Sequence, residues 1–155
     1  MKLRLTLNDE ERSFEIAGDE PLIDVLRGAG LASVRLSCGI GLCGACTVLL
    51  DGDPVSSCLL HAALAEGREV TTVEGLAADD PVLRAFDEAA AFQCGYCTPG
   101  MVLSAKALAG HNPGAGAGDV RHWMNGNLCR CGSYRRIEQA IGTYLEEVSR
   151  ATRDL

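Results

Sequence analysis

The chain has 155 residues, 47 % of them apolar, and 21 acidic against 14 basic side chains give it a formal charge of −7. With no Lys/Arg cluster, that balance excludes a nucleic-acid binder, whose phosphate contacts need a basic footprint. No apolar run approaches the ~20 residues that span a bilayer and no signal-peptide pattern follows Met1-Lys2-Leu3-Arg4, so no membrane insertion and no export signal of its own are expected.

Lys2-Leu3-Arg4-Leu5-Thr6-Leu7 alternates polar and apolar as a strand with one buried face. Asn8-Asp9-Glu10-Glu11 breaks the pattern and Ser13-Phe14-Glu15-Ile16 resumes it, which predicts an antiparallel hairpin. Pro21 opens a short helix with Leu22, Val25 and Leu26 on one face and Gly28 at its end. Further strands are expected at Thr47–Leu50, turned by Asp51-Gly52, and at Val70–Val73, making a small sheet with a helix across it. After a linker at 74–80 the pattern becomes helical, which sets the domain boundary between 77 and 78. One helix starts at Pro81 and runs to about Ala91, and a second starts at Thr98-Pro99, with Thr98 as cap, and runs to about Ala109. The loop His111–Gly118 stops it; Asp119 caps a short third helix and Ser133 a fourth, lined by Ile137, Ile141, Tyr144 and Val148. The fold class is α+β, with a small sheet domain over 1–77 and a helical bundle over 78–155.

The eight cysteines need explaining first. No secretion signal points to disulfides, and the short-spaced sets suit one metal centre each. Cys38, Cys43 and Cys46 have the spacing C-x4-C-x2-C, and Cys58 follows after a strand and a turn; this is the plant-type [2Fe–2S] ferredoxin pattern. Two irons need four thiolates, two on each, in a loop whose backbone N–H groups approach the bridging sulfides. Gly39, Gly41 and Gly44 allow that approach. A four-cysteine zinc site uses two C-x2-C knuckles, and this set has one. A Rieske centre needs histidine ligands, but His61 lies beyond a complete set of four cysteines.

The second set is Cys94-Gly95-Tyr96-Cys97 with Cys129-Arg130-Cys131, each pair just before a predicted helix whose positive end suits an anionic centre. By spacing alone this set also describes a zinc site. A plant-type site in the same short chain favours a second [2Fe–2S] cluster and hence a relay.

Three segments carry a resemblance over nearly the whole chain: Cys38-Gly39-Ile40-Gly41-Leu42-Cys43-Gly44-Ala45-Cys46-Thr47-Val48, Phe92-Gln93-Cys94-Gly95-Tyr96-Cys97-Thr98-Pro99-Gly100-Met101, and Gly126-Asn127-Leu128-Cys129-Arg130-Cys131. With them the sequence resembles the iron–sulfur subunits of the xanthine dehydrogenase, aldehyde oxidoreductase and carbon monoxide dehydrogenase family of molybdenum hydroxylases. The resemblance implies a β-grasp, plant-type ferredoxin domain followed by a four-helix domain, and a large partner subunit holding molybdenum on a molybdopterin cofactor. It implies that the cluster on Cys94, Cys97, Cys129 and Cys131 lies nearest the molybdopterin, with Gln93 and the loop at Cys131 contacting the pterin, and that the plant-type cluster passes electrons outward. The family commonly continues after the last cysteine with Thr-Gly-Tyr, where this chain has Gly132-Ser133-Tyr134. That variant resembles the isoquinoline- and aldehyde-oxidising branch, whose members often lack a flavin subunit and pass electrons to cytochrome c. The expected location is the cytoplasm, or the periplasm where the large subunit carries the complex across.

No complete active site is expected on this chain. His111 and His122 have no nucleophile or carboxylate companion at a motif spacing and read as surface or loop residues, and Tyr96 and Trp123 read as packing. Two other readings are separable by experiment. A free-standing two-cluster ferredoxin would purify alone, and a zinc-stabilised interaction module would lack a visible spectrum.

Overall fold

A computed structural model describes residues 1–153. The first half is a five-stranded mixed sheet built from β1 (Lys2–Leu7), β2 (Glu10–Glu15), β3 (Thr47–Leu50), β4 (Asp53–Ser56) and β5 (Glu69–Thr71), in the order β2-β1-β5-β3-β4. β1 pairs antiparallel with β2 and parallel with β5, and β3 pairs antiparallel with both β5 and β4. Helix α1 (Leu22–Gly28) crosses one face, as the pattern predicted. Leu3, Leu5 and Leu7 point beneath it with Leu22, Leu26, Val48 and Val70, all buried.

Local details differ from expectation for stated reasons. The first turn is only Asn8-Asp9, both at positive φ (51° and 66°), the geometry of a two-residue hairpin. Glu10 and Glu11 therefore belong to β2, opposite Leu7 and Thr6. Strand β5 stops at Thr71 because Thr72 turns to Asn8, donating its amide to Asn8 Oδ1 (2.8 Å), and Val73–Gly75 forms a 3-10 turn. β4 went unpredicted.

The second half contains α2 (Pro81–Glu88), α3 (Thr98–His111), α4 (Ala117–Trp123) and α5 (Tyr134–Arg153). Asp80 caps α2, its carboxylate accepting from Val82 N at 3.1 Å, and its other oxygen accepts from Lys106 Nζ of α3 at 2.7 Å. The helix ends earlier than expected, at Glu88, since Ala90 takes a positive φ of 44°. Cys97, not Thr98, occupies the cap position of α3. Asp119 lies inside α4, where its carboxylate accepts from the amide of Gly116, the residue at the cap. No helix among the described residues is long and apolar enough to cross a membrane.

α3 joins the halves. It is apolar on nearly every side, as a helix enclosed on all sides must be. Met101, Val102, Ala105 and Leu108 pack into the bundle core with Phe86, Ile141 and Tyr144, while Leu103 and Ala107, four residues apart, pack on Leu49 of β3. β3 is consequently buried along its whole length, Val48 and Leu50 toward α1 and Leu49 toward α3.

Glu74 ties the connecting segment down. Its carboxylate accepts from Ser33 N (2.9 Å), Ser33 Oγ (2.5 Å) and Thr72 Oγ1 (2.7 Å). Partial burial pushes this carboxyl up, but the hydrogen bonds outweigh it and hold the group below the usual glutamate range. Its contribution to stability is thus complete above the unfolded-state value of about 4.3 and is lost as pH falls through the lower folded-state value. Glu74→Gln is expected to lower the urea midpoint at neutral pH, with the difference from wild type shrinking as the pH is taken below the usual glutamate range. A difference that does not change with pH would contradict this account.

Candidate metal centres

Cys38, Cys43 and Cys46 lie on the loop between α1 and β3, and the β3–β4 hairpin brings Cys58 back to them. The loop curls because Gly39, Gly41 and Gly44 adopt positive φ of 68°, 73° and 68°. The Ile40 amide donates to Cys38 Sγ at 3.5 Å. With the neighbouring Cys43, that amide brings the Cys38 thiol down to about 6, so Cys38 stands as thiolate at neutral pH. Cys46 is buried; desolvation, with Cys58 beside it, pushes its thiol up to about 11. A cation is the usual means of holding such a buried sulfur deprotonated.

In the second set Cys97 begins α3 and the Cys129–Cys131 loop leads into α5. The Ser133 amide donates to Cys129 Sγ at 3.4 Å, the Cys129 amide to Tyr134 Oη at 2.8 Å, and Gln93 Nε2 to the Cys131 carbonyl at 3.1 Å. Burial pushes the Cys97 thiol up to about 12, reinforced by Cys129. The Tyr96 amide, with Cys131, holds the exposed Cys94 thiol below its ordinary value. Burial raises Cys129, but the Ser133 amide and the facing Cys97 more than offset it and its thiol is lowered.

All eight cysteines are free thiols, and they meet two by two: Cys38 faces Cys43, Cys46 faces Cys58, Cys94 faces Cys131, and Cys97 faces Cys129. Among the described residues no three His, Cys, Asp or Glu side chains gather as they would around a single ion. Two facing pairs per set, with amides aimed at sulfur, fit a two-iron centre with two thiolates on each iron.

Comparison with known proteins bears on this geometry. The family described as 2Fe-2S iron-sulfur cluster binding domain matches residues 5–77, and that described as [2Fe-2S] binding domain matches 72–142. The nicotinate dehydrogenase small FeS subunit of Eubacterium barkeri is 46 % identical over 143 residues, covering 90 % of this chain and 91 % of its own length. Isoquinoline 1-oxidoreductase subunit alpha of Brevundimonas diminuta is 38 % identical over 141 residues, covering 89 % and 93 %. A chain in the crystal structure of quinoline 2-oxidoreductase from Pseudomonas putida 86 superposes with a TM-score of 0.90 at 38 % identity, over 97 % of this chain and 96 % of that one. The chain belongs to the iron–sulfur subunits of the molybdenum hydroxylases.

This iron–sulfur subunit carries its two [2Fe–2S]-binding domains in close contact. Leu128 N donates to the Cys43 carbonyl at 2.9 Å, linking the two thiol-bearing loops. Asn127, buried, donates from Nδ2 to the Gly44 carbonyl (3.4 Å) and accepts at Oδ1 from Ser104 Oγ (3.0 Å). A Cβ on Gly100, in the first turn of α3, would stand 2.1 Å from the Gly44 carbonyl oxygen, so only glycine allows this approach. Sequence reasoning missed Asn127 and Gly100; both lay within the quoted motifs, but nothing local marks their partners.

Tyr96 reaches across the same junction. Its hydroxyl donates to the Leu36 carbonyl at 2.9 Å and the Arg35 guanidinium lies 5.0 Å over its ring. His111 is an exposed residue at the end of α3, and its Nε2 lies 2.8 Å from Asp53 Oδ1 of β4, a carboxylate 58 residues away that no motif spacing marks. His61 and His122 are exposed. Large exposed apolar side chains neighbour both thiol sets, with Leu36, Ile40, Leu42 and Leu59 at the first and Phe92, Leu128 and Tyr134 at the second.

Proposed function

We propose that this subunit relays electrons from a molybdopterin site on a large partner subunit to an external acceptor, with residues 1–77 and 78–155 each holding one [2Fe–2S] cluster. Cys38, Cys43, Cys46 and Cys58 would ligate the plant-type cluster, and Cys94, Cys97, Cys129 and Cys131 the other. The observation that carries this reading is the facing of the eight thiols in four pairs, two pairs per domain.

Each cluster, when bound, takes up and releases one electron. The residues of this chain supply the thiolates and the Ile40 and Ser133 amides donated to sulfur, which stabilise added negative charge. Gln93, held on the Cys131 carbonyl, and Cys131 itself form the edge that would contact the pterin. Exposed Phe92, Leu128 and Tyr134 around that edge support docking of the large subunit there, and Ile40, Leu42 and Leu59 leave the plant-type loop to a flavin subunit or a c-type cytochrome. The names of its relatives, which act on nicotinate and isoquinoline, favour an N-heteroaromatic substrate for the partner's site.

Metal analysis tests the core of this reading. The expected result is about four irons and four acid-labile sulfides per chain, with a large molybdenum-containing subunit co-purifying. One zinc per domain, or about two irons in a fully loaded preparation, would overturn it.

A further inference from the structure

We propose that Asn127 is a positioning residue for electron exchange between the two thiol sets, holding the Gly44 carbonyl, one peptide beyond the Cys43 carbonyl that Leu128 N meets, so that one hydrogen bond completes an otherwise covalent path from Cys43 Sγ to Cys129 Sγ. The path runs from the Cys43 side chain to its own carbonyl, across the 2.9 Å hydrogen bond from Leu128 N, and along the backbone into the Cys129 side chain. Coupling for electron transfer decays less along bonds and hydrogen bonds than across van der Waals gaps. This inference rests on the two-cluster reading above.

Asn127 belongs to two of the contacts that hold the link in place. Its Oδ1 is anchored by Ser104 of α3, the helix capped by Cys97, and its Nδ2 reaches the Gly44 carbonyl, which also accepts from Thr47 Oγ1 at 2.8 Å. Gly100 closely approaches the same carbonyl. Asn127 is 7 % exposed, so Ala at this position would leave Ser104 Oγ without its acceptor. The step moves one electron from the reduced centre at Cys94, Cys97, Cys129 and Cys131 to the oxidised centre at Cys38, Cys43, Cys46 and Cys58. The first is oxidised and the second reduced by that electron, with no proton or bond transferred.

The test uses the full chain with both clusters loaded. Asn127→Ala is expected to keep its iron and both paramagnetic signals after dithionite reduction, while the magnetic splitting between the signals shrinks. Internal exchange after flash reduction should slow by about tenfold, the scale on which changes next to metal ligands act. Tyr96→Phe removes a different cross-domain hydrogen bond and is expected to leave splitting and exchange at wild-type values. Ser104→Ala frees the Oδ1 anchor alone, should give a smaller effect of the same sign, and serves if Asn127→Ala does not fold. Unchanged splitting and exchange in loaded Asn127→Ala, or loss of iron in both Asn127→Ala and Ser104→Ala, overturns the positioning role. A wild-type chain with one signal overturns the two-cluster reading and this path together.

Discussion

Cys43→Ser is expected to abolish or strongly perturb one paramagnetic signal of the dithionite-reduced protein and to leave the other, with bound iron falling toward about two per chain. Cys97→Ser is expected to do the converse. The reason is the pairing: Cys43 faces Cys38 and Cys97 faces Cys129, so each change would strip one iron position of half its protein sulfur. Because Leu128 donates to the Cys43 carbonyl, a small shift of the surviving signal is compatible with this assignment. Loss of both signals from a folded Cys43→Ser protein would show that the thiols do not divide into an N-terminal and a C-terminal set.

Gly100→Ala is expected to destabilise the folded chain by about 3 kcal/mol, the upper part of the usual range for overpacking. Its added methyl would stand 2.1 Å from the Gly44 carbonyl oxygen and 3.2 Å from the carbonyl carbon. Both partners are backbone, so no side chain can swing aside, and α3 must move away from the loop between Cys43 and Cys46. Gly110→Ala in the last turn of the same helix is the internal contrast, since nothing lies within 4 Å of the new methyl. There the helix propensity of alanine should make the change neutral or stabilising by up to ~1 kcal/mol. Urea unfolding of the two variants checks the opposite signs, and a Gly100→Ala protein as stable as wild type would refute the close-contact argument.

Much of the architecture was legible because local pattern and tertiary burial coincide. Leu3, Leu5 and Leu7 alternate in sequence and all three are buried on one face; the cysteine spacings announced two sets before any fold was in view. β4 was illegible because Asp53-Pro54-Val55-Ser56 offers one apolar residue and a proline, and it pairs only because β3 presents Thr47–Leu50 beside it. The pairing of Cys94 with Cys131 and of Cys97 with Cys129 is tertiary, since spacing names four thiols without saying which two meet. Asn127 was a letter in a motif until the fold placed Ser104 and Gly44 on either side of its amide. His111 likewise found Asp53 only through the packing of α3 against the sheet.

The order β2-β1-β5-β3-β4 has a consequence for how the chain avoids itself. A sheet with two open edges invites another copy to add a strand, a hazard sharpened here by apolar side chains exposed at both thiol sets. Both edges are blunted. β2 carries Glu10, Glu11, Arg12 and Glu15 in six residues, so an approaching copy would oppose a mostly acidic strand with its like. β4 is four residues long and contains Pro54, which has no N–H to offer a new neighbour. The molecule can thus keep an adhesive surface around its sulfur ligands while its sheet margins resist polymerisation.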